Sequence, residues 1–205
     1  MRSNLMHWGG PAGILGGILW LGFFVLQATA PATLNTAPYT VTNPVAYVIY
    51  NLMFLGAGLL FVITLLALYA RQADRAGAVG KIGVVLAVVG GLLFMTGGVL
   101  SILFNIEGMW NVMLAGAAVL PISLIALGVS TLSTQVLERW SFVPLLIGMF
   151  CLAAFVFGSM GLFQLEPLGA WLGASLAALV GAGWILLGYA LAVGRPEQPV
   201  SPQVA

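Results

Sequence analysis

The chain has 205 residues, of which 61% are hydrophobic before its 27 glycines are counted, while only 5% are charged and the net charge is +1. A soluble domain covers its surface with about 25% charged residues, so this composition predicts a protein whose solvent is a bilayer. Six Lys or Arg against five Asp or Glu exclude the basic face that nucleic-acid binding needs, and a single cysteine, Cys151, excludes a disulfide scaffold.

A helix crossing a hydrocarbon core of about 30 Å needs about 20 mostly apolar residues. Charge-free stretches of that length predict six spans, at about 11–30, 45–69, 82–104, 110–133, 141–163 and 169–193. No segment alternates apolar with polar as barrel strands would, so the fold class is all-α. The first span opens at Pro11, after Trp8 and Gly9-Gly10. With Arg2 before it and Ala28-Thr29-Ala30 at its end it mimics a secretory signal. Its apolar run exceeds the about 7 to 15 residues of a signal core, and Pro31 directly follows the would-be cut, so it is read as a span. Trp20 lies mid-span and should face another helix or a cavity where its indole N–H finds an acceptor. In the second span Pro44 suits a first helical turn, and Asn51, about two turns inside, must hydrogen-bond to something. In the fourth, Pro121 displaces the bond that would end on the Ala117 carbonyl; this predicts a kink, with the Ser123 hydroxyl at hand for the freed group. Cys151, among Phe150, Leu152 and Phe155 of the fifth span, reads as a small apolar filler. The segment 195–205 is polar and proline-rich and is predicted to be disordered, which leaves one six-helix domain over 1–194.

An even span count puts both chain ends on one side, and the loops then sort the cations completely. Arg2, Arg71, Arg75, Lys81, Arg139 and Arg195 share one side; Glu107 and Glu166 lie on the other. The positive-inside rule makes the basic side cytoplasmic, with both termini inside. Trp8, Tyr69 and Trp140 fall at the inner ends of spans, Tyr47, Tyr50, Trp110 and Trp171 at outer ends.

Helices in lipid associate through close backbone approach, for which small residues four apart are the sign. Gly9, Gly13 and Gly17 have this spacing in the first span, and Gly169, Gly173, Ala177 and Gly181 in the sixth; Gly83, Gly90-Gly91 and Gly97-Gly98 recur in the third. The closest crossings are expected on these three helices.

No ionisable residue falls inside a span, which removes the usual parts of a proton relay or an ion-coupled site. One histidine, His7, and one cysteine make neither a zinc site nor a two-histidine haem site. Gly158-Ser159-Met160-Gly161 places a serine between glycines, but no span supplies a histidine base. The expectation is therefore a non-enzyme with no catalytic residue, metal or cofactor. What remains is the outer half of the bundle. Gln27 ends the first span, Tyr47, Tyr50 and Asn51 open the second, Ser101, Asn105 and Glu107 close the third, Trp110 and Asn111 begin the fourth, and Gln164 and Glu166 follow the fifth. Closed on one another, these side chains would rim a pocket that is apolar below and hydrogen-bonding above, suited to an amphiphile. The expected function is binding of a lipid-like ligand or a partner subunit within the bilayer. The alternative is a transporter or channel for a small, weakly polar solute. Expected partners are membrane lipids and a second copy or membrane subunit.

The stretches His7-Trp8-Gly9-Gly10 through Trp20 and Gly183-Trp184-Ile185-Leu186-Leu187-Gly188-Tyr189-Ala190-Leu191 resemble segments of small bacterial multi-pass membrane proteins with no assigned activity. The resemblance covers the two terminal helices and implies a bacterial cytoplasmic membrane. No internal repeat relates the first three spans to the last three.

Overall fold

The computed structural model describes residues 2–29, 44–104, 106–165 and 168–193. The tail expected to be disordered lies outside them. The described residues form six α-helices, α1 (Arg2–Thr29), α2 (Pro44–Gln72), α3 (Ala78–Ile102), α4 (Met109–Thr134), α5 (Val143–Ser159) and α6 (Leu168–Val193), with no strand among them. Single 3-10 turns occupy Glu138–Trp140 and Leu162–Gln164. All six helices are long and apolar enough to cross a membrane.

Successive helices run antiparallel, and α6 returns to lie against α1, so the six close into a ring in chain order; α2 also reaches α4 and α6. Gly10 sits against Ala192, which places the start of α1 beside the finish of α6. That end of the bundle is the near end, and the opposite one the far end.

Two kinds of contact hold the ring. Within the trio α6–α1–α2, a Cβ on Gly13 would lie 2.8 Å from the Gly188 Cα, and one on Gly17 would lie 2.7 Å from the Gly181 carbonyl oxygen. The trio α3–α4–α5 is joined in the same backbone-close way, Gly97 against Met113, Gly116 against Phe94 and Gly128 against Leu145. Between α1 and α2, and between the trios, the glycines meet side chains instead: Gly16 the Phe61 ring, Gly58 the Phe94 ring, Gly91 the Val62 methyls, Gly98 Leu55 and Gly183 Ile147. Lipid gives apolar surfaces no drive to associate, so backbone-close crossings, which maximise dispersion contact, bind more firmly than those that rest on side-chain tips.

The centre is filled. Leu65 and Leu68 of α2, Leu124 and Leu127 of α4, Ile147 of α5 and Leu187 of α6 are all fully buried in one contiguous core. Large apolar side chains also cover the outside: Ile82, Val85, Val89 and Leu92 form one exposed face of α3 at helical spacing.

Several boundaries depart from the sequence reading, those of α1 and α5 through their glycines. The helix α1 begins well before Pro11 and runs through it. Gly9 and Gly10 do not end the helix but bring it against Ala67 of α2 and Ala192 of α6, and this packing holds the turn that Pro11 deprives of a hydrogen bond. At the other extreme α5 stops at Ser159, short of the expected Phe163, because Gly161 takes a left-handed conformation at φ 71° and the chain turns there.

Candidate functional site

At the far end, α1 and α2 meet through aromatic rings. Phe23 stacks on Tyr50 with centroids 4.4 Å apart and packs 4.9 Å from Phe54. Trp20 lies 5.0 Å from Phe24, 5.9 Å from Phe23 and 6.2 Å from Phe54. Phe54 in turn touches Phe94 of α3 at 5.2 Å. The expectation that the Trp20 indole finds an acceptor is not met: its Nε1 is buried and has no hydrogen-bond partner. Phe23, Phe24 and Phe54 surround the indole on the α1–α2 face, and their rings carry no oxygen or nitrogen acceptor.

Above this layer sit the polar residues of the expected pocket. Asn51 is buried, at 6% exposure, and its Nδ2 donates to the Tyr47 carbonyl of its own helix at 2.8 Å. Gln27 of α1 and Tyr47 and Tyr50 of α2 are half-buried. Ser101 donates to the Gly98 carbonyl at 3.3 Å within α3. Glu107 is exposed on the turn between α3 and α4, and Trp110 and Asn111 are exposed in the first turn of α4. Asn105 and Glu166 lie outside the described residues. The described polar groups nearest the aromatic layer are therefore those of α1 and α2.

Of the small residues, Gly9 approaches α2, and Gly13, Gly17 and Gly181 form the α1–α6 crossing. Ala177 is buried in α6, and Gly173 faces the Phe163 ring of the preceding turn at 3.6 Å, not another helix. The helix α4 is continuous through Pro121, and the Ser123 hydroxyl donates to Leu120 at 2.7 Å, not to the freed Ala117 carbonyl.

A second polar group, at the near end, is absent from the sequence reading. The helix α2 continues past Tyr69 and takes Arg71 and Gln72 into its last turn. Arg71 donates from Nη2 to the Leu191 carbonyl at 3.0 Å, where α6 nears its end and its outer carbonyls lack helical partners. Gln72 is fully buried beside Thr131 and Thr134 of α4, with Ser130 and Ser141 also buried at this end. The signal was present in Gln72 itself, which stands next to Arg71 and reads as loop, and in the hydroxyl-rich run Ser130-Thr131-Leu132-Ser133-Thr134-Gln135, which closes the fourth span and drew no reading of its own. Toward the same end, Arg139 lies over the Trp140 ring at 5.4 Å, and Trp140 meets Tyr189 edge-on.

Among the described residues no three His, Cys, Asp or Glu side chains are grouped to hold a metal ion. No family model, no curated protein and no solved structure matches this chain.

Proposed function

We propose that this chain is a non-catalytic integral protein of the bacterial cytoplasmic membrane, with both termini on the cytoplasmic side, that binds a lipid-like amphiphile in the outer half of its bundle. The observation that carries the reading is the layering between α1 and α2: rings of Trp20, Phe23, Tyr50 and Phe54 below, and Gln27, Tyr47 and Asn51 above them. Aromatic walls suit a hydrocarbon or prenyl tail, and half-buried amides and phenols suit a headgroup. The buried Trp20 N–H adds a donor for an ester or carbonyl oxygen at the junction. The leucine-filled centre supports binding over passage, since a route for a polar solute needs polar groups along its length.

Native mass spectrometry of the protein in mild detergent, with Asn51→Leu and Tyr50→Leu beside the wild type, tests this directly. Retained phospholipid or prenyl lipid, reduced severalfold in both variants, is the expected result. An equal lipid load in all three, or glycerol flux into liposomes above the protein-free level, would contradict it.

A further inference from the structure

The near-end polar group has a proton count that does not close within the protein. Thr131 donates its hydroxyl to the Leu127 carbonyl at 2.7 Å, and Thr134 donates to the Ser130 backbone carbonyl at 2.8 Å. A hydroxyl carries one proton, so both are committed to their own helix. Yet the Gln72 Oε1 lies 3.3 Å and 3.4 Å from these same two oxygens, an arrangement of lone pairs facing lone pairs. An amide's oxygen and nitrogen exchange places by a half-turn about its terminal bond, and the hydrogen-bond network decides between them. With Nε2 toward the threonines, its two N–H groups meet two oxygens that each have a lone pair to accept with. The half-turn carries Oε1 to where Nε2 stood, and there no carbonyl or hydroxyl is within hydrogen-bonding reach. In the orientation that satisfies the threonines, the pole turned to that position is a fully buried acceptor that no neighbouring hydroxyl serves.

Two more buried oxygens at this end, Ser130 Oγ and Ser141 Oγ, also lack partners. Buried polar groups are almost always satisfied, and ordered water serves where protein does not. The geometry points to a binding site for a water-sized, neutral hydrogen-bond donor, water itself, seated on the free carbonyl of Gln72 where α2 meets α4. Size follows from enclosure, since the Gln72 side chain has no exposed surface. Neutrality follows from the surroundings: the described carboxylates of this end, Asp74 and Glu138, are exposed, so nothing at this depth offsets a cation, and an acceptor repels an anion.

The test is infrared difference spectroscopy on protein labelled with 13C at the glutamine side-chain carbonyl, wild type minus Gln72→Leu, in lipid nanodiscs. The Gln72 band is expected at the lower frequency of a hydrogen-bonded carbonyl, and an O–D stretch that shifts between D2O and its 18O form, the mark of an enclosed water, should be present in the wild type and absent from Gln72→Leu. A band at the frequency of a free carbonyl would overturn the site. So would a hydrogen-bonded band with no such water stretch, which means a protein donor. Gln72→Met provides the same subtraction if the leucine variant does not fold.

Discussion

Gly13 and Gly77 differ in what a side chain would meet. A Cβ on Gly13 runs into the backbone of Gly188, whereas one on Gly77, ahead of α3, meets nothing within 4 Å. Gly13→Leu must therefore part α1 from α6; overpacking of this kind costs about 1–3 kcal/mol or more. Gly77 has φ −71°, which any residue adopts, so Gly77→Ala is expected to be neutral or stabilising by about 0.4–1 kcal/mol through the unfolded chain. Thermal melts in one detergent measure both, and equal midpoints for the two variants would refute the backbone-contact account of the crossing. At this scale the sequence was partly legible. The spacing of Gly9, Gly13 and Gly17 named positions that do lie at crossings, because close approach leaves a compositional trace. The partner each one meets leaves none, which is why Gly173 reads like Gly13 yet faces a loop phenylalanine.

Helices were legible in their cores and obscure at their ends. A stretch of apolar residues long enough to span hydrocarbon has few other fates, so all six were apparent from length alone. Their ends depend on tertiary contacts that hydropathy does not encode. Arg71 and Gln72 looked like loop because they are polar, but α6 offers Arg71 a carbonyl and α4 offers Gln72 two threonines, and α2 goes on to Gln72. Pro11 looked like a start because proline favours a first turn, but glycine-mediated packing on two sides carries α1 through it. Turns are set by individual residues. Gly108, between α3 and α4, holds φ 80° with open space where a Cβ would go, so the cost of Gly108→Ala is conformational alone, about 1 kcal/mol. A lowered melting midpoint with unchanged lipid retention is the expected outcome; an unchanged midpoint would show that this turn does not fix the α3–α4 hairpin.

As a whole the molecule is a ring of two helix trios around a leucine centre, with glycine against backbone at the α6–α1, α3–α4 and α4–α5 crossings and side-chain contacts at the others. Composition foretold the number of helices and that they are long and apolar enough to cross a membrane. It did not foretell the ring order, or that Gln72 would bridge one trio to the other, since both arise from contacts between segments far apart in the chain. The polar and aromatic layers lie at the two ends, and buried leucines fill the centre between them. All of this presupposes that the bundle crosses a bilayer an even number of times with its cations on the cytoplasmic side. Single cysteines at Lys81 and Glu107, in a Cys151→Ala background, probe that premise most directly with a membrane-impermeant maleimide applied to intact cells. Glu107→Cys is expected to label at once and Lys81→Cys only after permeabilisation. Labelling of both from the same side, or of Lys81→Cys alone from outside, would contradict the account.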